Sequence, residues 1–97
     1  MGVKHARPYK EIIDELMDAI KDIGRFYEFF EMNSEEWQNL NEEERGEVLE
    51  ALADDVFYGL GAGQPIPVGT GMILYDKDFH LIEIQVDDRV VRTVKLV

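Results

Sequence analysis

The chain of 97 residues contains no cysteine and few basic side chains. The lack of cysteine excludes disulfides, thiolate zinc sites and a thiol nucleophile. No apolar run approaches the ~20 residues of a membrane-spanning helix, and the first residues lack the apolar core of a secretion signal, so we expect a cytoplasmic protein. Ten basic residues against 21 acidic ones give a formal charge of -11, which opposes direct binding to nucleic acid or to a membrane.

What remains in the composition indicates one small acidic domain over residues 1–97. Hydrophobic residues make up 45% of the chain, which is enough for a packed core and argues against a disordered chain. Within this domain we expect a flexible tail over residues 1–7. We also expect a connector over residues 61–68, because that stretch is rich in glycine and proline.

Helical periodicity dominates the first part of the sequence. Pro8 suits a first helical turn, and apolar residues then recur three and four positions apart from Tyr9 to Phe30, which predicts one long helix. Gly24 interrupts this pattern, and glycine weakens a helix by ~1 kcal/mol relative to alanine. The helix is therefore expected to bend or restart at that position.

Capping signals at their N-termini predict two further helices. Asn33 is followed three residues later by Glu36, and Asn41 is followed in the same way by Glu44, which is the spacing of a capping box. The first box predicts a short helical turn, and the second predicts a second main helix. That helix should end in the glycine-rich stretch 59–63, where glycine can adopt the left-handed conformation that closes a helix.

The last third of the chain has the two-residue period of β-strands. Residues 70–75, 79–86 and 90–97 are rich in β-branched and aromatic side chains, and the acidic segments 76–78 and 87–89 between them are typical of turns. The sequence therefore predicts an α+β fold of two main helices and a short helical turn, packed on a three-stranded antiparallel meander. The expected order is α-α-α-β-β-β.

Three-residue turns would set a register in which Leu74 faces His80 and Met72 faces Ile82. The face of the sheet toward the core would then consist of Met72, Leu74, Ile82, Ile84, Val86, Val90, Val94 and Leu96. The opposite face would carry an apolar patch formed by Ile73, Tyr75, Phe79 and Leu81. An exposed patch of this kind indicates an interface with a protein partner or with a second copy, unless a helix or loop covers it.

The second main helix carries most of the negative charge. Residues 34–60 contain nine acidic side chains and a single basic one, Arg45. Glu43, Glu47, Glu50 and Asp54 recur at spacings that place them on one helical face. This face is either a solvated surface that keeps the protein soluble or a recognition surface for a basic partner, including one that imitates the phosphates of nucleic acid.

Catalytic and cofactor signals are weak. The glycines at 59–71 follow a helix and precede a strand, which is the reverse of a dinucleotide-binding loop. His80 lies near Asp78 and Glu83 in sequence, but a lone histidine beside a turn is more often part of the surface. The segment 76–80 lacks the glycine and terminal glutamate of a calcium-binding loop. We therefore predict no catalytic residue, no metal and no cofactor.

These observations favour a small non-enzymatic protein-binding or regulatory module of unknown partner. The partner would bind the acidic helix, the apolar hairpin face or both, and a homodimer is one form of the second arrangement. Two alternatives remain at this stage. One is an inhibitor that mimics nucleic acid and occupies a DNA- or RNA-binding protein, and the other is a small enzyme that uses His80 with a nearby carboxylate.

Overall fold

The computed structural model describes residues 3–97 and has the α+β architecture predicted from the sequence, with helices followed by an antiparallel sheet. The helices are α1 (Tyr9–Ile20), α2 (Ser34–Gln38) and α3 (Glu42–Leu60), with a 3-10 helix (Phe26–Phe30) between α1 and α2. The strands are β1 (Ile66–Val68), β2 (Gly71–Asp76), β3 (Leu81–Val86) and β4 (Arg89–Lys95). The sheet therefore has four strands, in the order β1-β2-β3-β4, and not the three that we predicted.

The additional strand lies inside the segment expected to be a connector. β1 pairs antiparallel with β2, and Ile66 lies opposite Ile73. The sequence hid this strand because it is only three residues long and contains Pro67, which cannot donate a backbone hydrogen bond to the sheet. Proline is tolerated there because β1 is an edge strand.

The long first helix predicted from Tyr9 to Phe30 is broken into two pieces. α1 ends at Ile20, and the chain restarts as a 3-10 helix at Phe26, after Arg25 has adopted a left-handed conformation with φ of 57°. The Gly24 carbonyl accepts a hydrogen bond from the Thr70 backbone N–H at 2.8 Å. This carbonyl therefore binds the turn between β1 and β2 and takes no part in a continuing helix.

Both predicted capping boxes are confirmed. The Asn41 side chain accepts from the Glu44 backbone N–H at 2.8 Å, and the Glu44 carboxylate accepts from the Asn41 backbone N–H at 2.9 Å. Asn33 and Glu36 form the same reciprocal pair at the start of α2. These contacts satisfy backbone donors that a helix end otherwise leaves without partners.

The helices cover one face of the sheet, and the core lies between the two layers. α1 packs against α3 and β4, and α3 also contacts β1 and β2. The largest fully buried side chains come from both layers and include Ile12, Leu16, Ile20, Leu52, Val56, Leu60, Ile73, Ile82, Ile84 and Leu96. No buried polar side-chain atom within residues 3–97 lacks a hydrogen-bond partner.

The predicted register of the β2–β3 hairpin is wrong. Ile73 lies opposite Ile84 and Tyr75 opposite Ile82, so Ile73 and Tyr75 face the core, and Met72 and Leu74 face away from it. The loop has four residues, because His80 adopts a left-handed conformation with φ of 53° and leaves the strand. The resulting shift in register is an odd number of residues, which moves every side chain of β2 to the other face.

The β3–β4 hairpin follows the predicted register along most of its length. Ile82 lies opposite Val94 as expected, but a bulge at Ile84 and Gln85 shifts the pairing near the turn. Val90 consequently lies opposite Gln85 on the outer face and is 50% exposed, so it does not belong to the predicted core. Val86 is only partly buried, although it packs against the core.

The start of the described chain lies against the end of β4. Val3 is buried, and the backbone N–H groups of Ala6 and Arg7 both donate to the carbonyl of Leu96. This packing corrects the expectation of a tail for residues 3–7, and residues 1 and 2 lie outside the described residues. Within the described part of the chain, no helix is both long enough and apolar enough to cross a membrane.

Candidate partner-binding surface

The acidic side chains of α3 fall into two groups that the sequence did not separate. Glu43, Glu47 and Glu50 are exposed to solvent, and we call these three residues the acidic face. Asp54 is half-buried, and its carboxylate accepts a hydrogen bond of 2.7 Å from the hydroxyl of Tyr9 on α1. Asp54 therefore helps to join the two main helices and does not extend the acidic face.

The Tyr9–Asp54 contact also changes the chemistry of the phenol. Burial, together with the hydrogen bond to Asp54, raises the pKa of Tyr9 above its ordinary value. The ring packs edge-on against Phe57 of α3, with 5.0 Å between the ring centroids. Tyr9 is thus a neutral structural link between α1 and α3, with no deprotonated form near neutral pH.

Ion pairs distinguish the outer surface of α1 from that of α3. Arg92 of β4 reaches Asp18 at 2.9 Å and Asp22 at 2.8 Å. The other pairs of this region are those of Arg7 with Glu11 and Glu15, and of Lys10 with Asp14. Among residues 3–97, no carboxylate of α3 lies within ion-pair distance of a basic side chain.

Arg45, the one basic residue of α3, is directed away from the acidic face. Its Nη2 atom donates to the Gln38 carbonyl at 2.9 Å and its Nε atom to the Trp37 carbonyl at 3.3 Å. The guanidinium also lies 5.5 Å from the centre of the Trp37 ring, within the range of a cation–π contact. Arg45 therefore ties the end of α2 to α3 and does not neutralise the glutamates.

A cleft of about 470 Å³ opens between α1, the 3-10 helix, α2 and the first half of α3. Its apolar walls come from Met17, Phe26, Trp37 and Leu49, and its polar residues are Lys21, Glu42 and Arg45. Phe26 meets the Trp37 ring edge-on, with 4.9 Å between the ring centroids. A volume of this size is within the range of ~300–1,000 Å³ that is typical of ligand pockets.

The sequence-predicted apolar patch does not form one surface. Ile73 is fully buried in the core, and Tyr75 is half-buried on the inner face of the sheet. Phe79 is 74% exposed in the loop between β2 and β3, and Leu81 is half-buried on the outer face. The outer face instead combines Met72, Leu74 and Leu81 with polar residues such as Glu83, Gln85, Thr93 and Lys95.

Two of the three residues considered for catalysis lie in an exposed loop, and the third lies on β3. His80 and Asp78 are exposed, and Glu83 is half-buried on the outer face of the sheet. The Asp76 carboxylate accepts from the backbone N–H groups of Asp78 and Phe79, which gives this segment an ordinary structural role in the turn. In the part of the chain that the structure describes, no group of three or more histidine and acidic side chains is arranged to hold a metal ion.

Sequence reasoning did not find the cleft, although two of its features were visible. Trp37 is the single tryptophan of the chain, and Gly46 lies inside α3, in its second turn, where glycine is unfavourable. Comparisons with family models, with curated proteins and with solved structures return no match.

Proposed function

We propose that the protein is a non-enzymatic protein-binding module that recognises a basic segment of a partner through the acidic face of α3. The observation that carries this proposal is the contrast in ion pairing between the two main helices. Carboxylates on α1 are paired with basic side chains, whereas the carboxylates of the acidic face are exposed and have no ion pair among residues 3–97.

Unpaired carboxylates on one side of a helix produce a local negative potential that extends into solvent. Such a potential attracts a positively charged partner and increases its association rate, with a strong dependence on salt. Paired carboxylates produce a weaker field, because each lies a few ångströms from a basic side chain, with Arg7 and Arg92 each shared by two carboxylates. The fold thus concentrates its electrostatic attraction on α3, although both helices are rich in acidic residues.

The alternatives from the sequence stay predictions. An inhibitor that mimics nucleic acid would use the same acidic face, and it would displace DNA or RNA from a basic protein. A homodimer would use the apolar hairpin face, of which Phe79 is exposed and Ile73 is buried. An enzyme would need His80 to work with Asp78 or Glu83, and the exposed loop that carries His80 and Asp78 favours this alternative least. The cytoplasmic location also remains an expectation.

The test is the binding of a fluorescently labelled oligolysine peptide across a salt series. The first variant carries Glu43→Gln, Glu47→Gln and Glu50→Gln, which removes the charges and keeps the side-chain length. The matched control carries Glu11→Gln, Asp14→Asn and Glu15→Gln on α1, which changes the net charge by the same amount. We expect the α3 variant to lose about tenfold or more in affinity at low salt and to show a flatter salt dependence.

The control variant is expected to bind nearly as well as the wild type, because its carboxylates are already paired. An equal loss in the two variants would mean that the peptide senses only net charge, and the acidic face would then not be a recognition surface. Unchanged affinity in the α3 variant would contradict the proposal directly.

A further inference from the structure

Gly46 lies in the second turn of α3, inside the helix, where glycine is costly. A glycine inside a helix is less stable than alanine by roughly 1 kcal/mol, because it loses more backbone entropy on folding. The structure of the chain itself gives no reason for this residue: a Cβ atom added at Gly46 would meet no atom within 4 Å. Its backbone is helical, so an L side chain would not be strained there.

Other glycines of the chain do have an internal reason. A Cβ atom on Gly71 would lie 2.8 Å from the backbone oxygen of Gln85, and one on Gly69 would collide with the backbone of Gly24 and Arg25. These positions need glycine for packing. Gly46 is different, because the space that a side chain at this position would occupy is empty.

The open space beside Gly46 is the cleft. Gly46 lines it together with Trp37 and Leu49, so a larger side chain at position 46 would project into the volume between α2 and α3. Gly46 also adjoins the acidic face, because Glu43 and Glu50 lie three residues before it and four residues after it, which makes them its neighbours on the helix surface. A segment lying along the acidic face therefore passes the mouth of the cleft.

We propose that the cleft receives a bulky apolar side chain of the basic segment that binds α3, and that Gly46 provides the room for it. This inference rests on the proposed function. The cleft and the acidic face differ in the sign of their charge. The cleft is lined by two basic side chains, Lys21 and Arg45, and one acidic side chain, Glu42, so its net charge is positive and disfavours cations, whereas the acidic face attracts them. The basic residues of the segment are thereby directed to the carboxylates, and its apolar residue is directed to the walls formed by Phe26 and Trp37.

The experiment compares two oligolysine peptides of equal charge, one with a central phenylalanine and one with a central alanine. Binding is followed through the fluorescence of Trp37, the single tryptophan of the chain. The proteins are the wild type, Gly46→Leu and the matched control Ala51→Leu, which adds the same side chain to an exposed position of α3. We expect the phenylalanine peptide to bind the wild type about tenfold or more tightly than the alanine peptide.

This preference should disappear in Gly46→Leu and persist in Ala51→Leu. Persistence of the preference in Gly46→Leu would overturn the inference. Equal binding of the two peptides to the wild type would also overturn it. In that case the proposed function would still stand if the α3 glutamine variant weakened both peptides. Failure of both peptides to bind the wild type would overturn the proposed function and this inference together.

A second measurement does not depend on any variant. Acrylamide quenching reports the accessibility of Trp37, which is half-buried at the wall of the cleft. The phenylalanine peptide should protect Trp37 from acrylamide, and the alanine peptide at the same saturation should not. Equal quenching in the two complexes would place the phenylalanine elsewhere, for example on the outer face of the sheet, and would overturn the inference.

Discussion

The two main helices are alike toward the core and unlike toward solvent. α1 contributes Ile12, Leu16 and Ile20 to the buried layer, and α3 contributes Leu52, Val56 and Leu60. On their outer sides both are acidic, but the carboxylates of α1 are joined to Arg7, Lys10 and Arg92, and those of the acidic face on α3 have no such partners among residues 3–97. The same residue type therefore has a different role on each helix.

The difference arises from the neighbours that the topology gives each helix. The chain segment before α1 supplies Arg7, and β4 runs beside α1 and supplies Arg92. α3 instead lies next to β1 and β2, whose residues include no lysine or arginine. Residues distant in sequence can thus neutralise the carboxylates of a helix. The number of acidic residues in a helix therefore does not indicate whether those carboxylates are paired.

The largest expected effect tests whether the helices really are equivalent on the inside. Leu16→Ala on α1 and Leu52→Ala on α3 each remove a fully buried side chain and should each cost about 2–5 kcal/mol of the free energy of unfolding. That is a large part of the stability of a domain this size. Urea denaturation followed by circular dichroism measures both.

Comparable losses would confine the difference between the helices to their outer surfaces. A loss below about 1 kcal/mol at Leu52 beside a large one at Leu16 would mean that α3 is only loosely attached to the core. The comparison of the two surfaces would then need to include the motion of α3.

The local features of the fold could be predicted from the sequence because their causes are local. Asn33 and Asn41 specify the starts of α2 and α3 through contacts that span only three residues. Apolar residues at helical spacing likewise placed Leu52 and Val56 in the core, and a period of two placed Ile82 and Ile84 there. In each case the residues that determine the structure are close together in the chain.

The wrong predictions concern positions where a distant contact or a single backbone angle determines the structure. The left-handed conformation of His80 lengthened a turn by one residue, which was enough to exchange the faces on which Ile73 and Met72 lie. The break after α1 is accompanied by a hydrogen bond between Gly24 and Thr70, which are far apart in the chain. β1 becomes a strand because β2 pairs with it, and its own sequence does not indicate one.

The candidate site was predictable in part for the same reason. The composition of residues 34–60 identifies the acidic helix, and the spacing of Glu43, Glu47 and Glu50 places them together. The sequence could not show that Arg92 would neutralise Asp18 across 74 positions, or that Asp54 would bind Tyr9. It could also not show that the space beside Gly46 is empty, since that depends on α2 and the 3-10 helix.

The next expected effect is a smaller change in stability, which has opposite signs for charge removal on the two helices. The glutamine variant at 43, 47 and 50 should be slightly more stable than the wild type at low salt. Like charges one helical turn apart destabilise a helix by about 0.2–0.5 kcal/mol per pair. The variant with Glu11→Gln, Asp14→Asn and Glu15→Gln should be less stable than the wild type, because it removes partners of Arg7 and Lys10.

Thermal unfolding at low and high salt measures both variants. The gain of the α3 variant should shrink in high salt, where the repulsion is already screened, and the loss of the α1 variant should shrink as well. Destabilisation of similar size in both would mean that favourable interactions of the α3 glutamates, such as that of Glu43 with the positive end of the helix dipole, outweigh their mutual repulsion. The contrast between the two helices would then be lost.

The smallest expected effect is a pH dependence that belongs to α1 and its pairing with β4. The hydrogen bond and the charge of Arg92 lower the pKa of Asp18 below its ordinary value. A carboxylate whose pKa is lowered by folding contributes stability above its unfolded pKa, which is about 3.9 for aspartate. That contribution is lost as the pH falls through the lower pKa of the folded state. Arg92→Gln should therefore reduce stability by a constant amount above about pH 5, and the difference from the wild type should decline steadily below about pH 4. Arg89→Gln is the matched control, because Arg89 lies on the same strand, is exposed and forms no ion pair within residues 3–97. Its stability should follow that of the wild type across the whole range. Urea denaturation between pH 2 and pH 7 distinguishes the two variants. If the difference in stability between Arg92→Gln and the wild type stayed constant down to pH 2, Arg92 would act through packing and not through its pairing with Asp18.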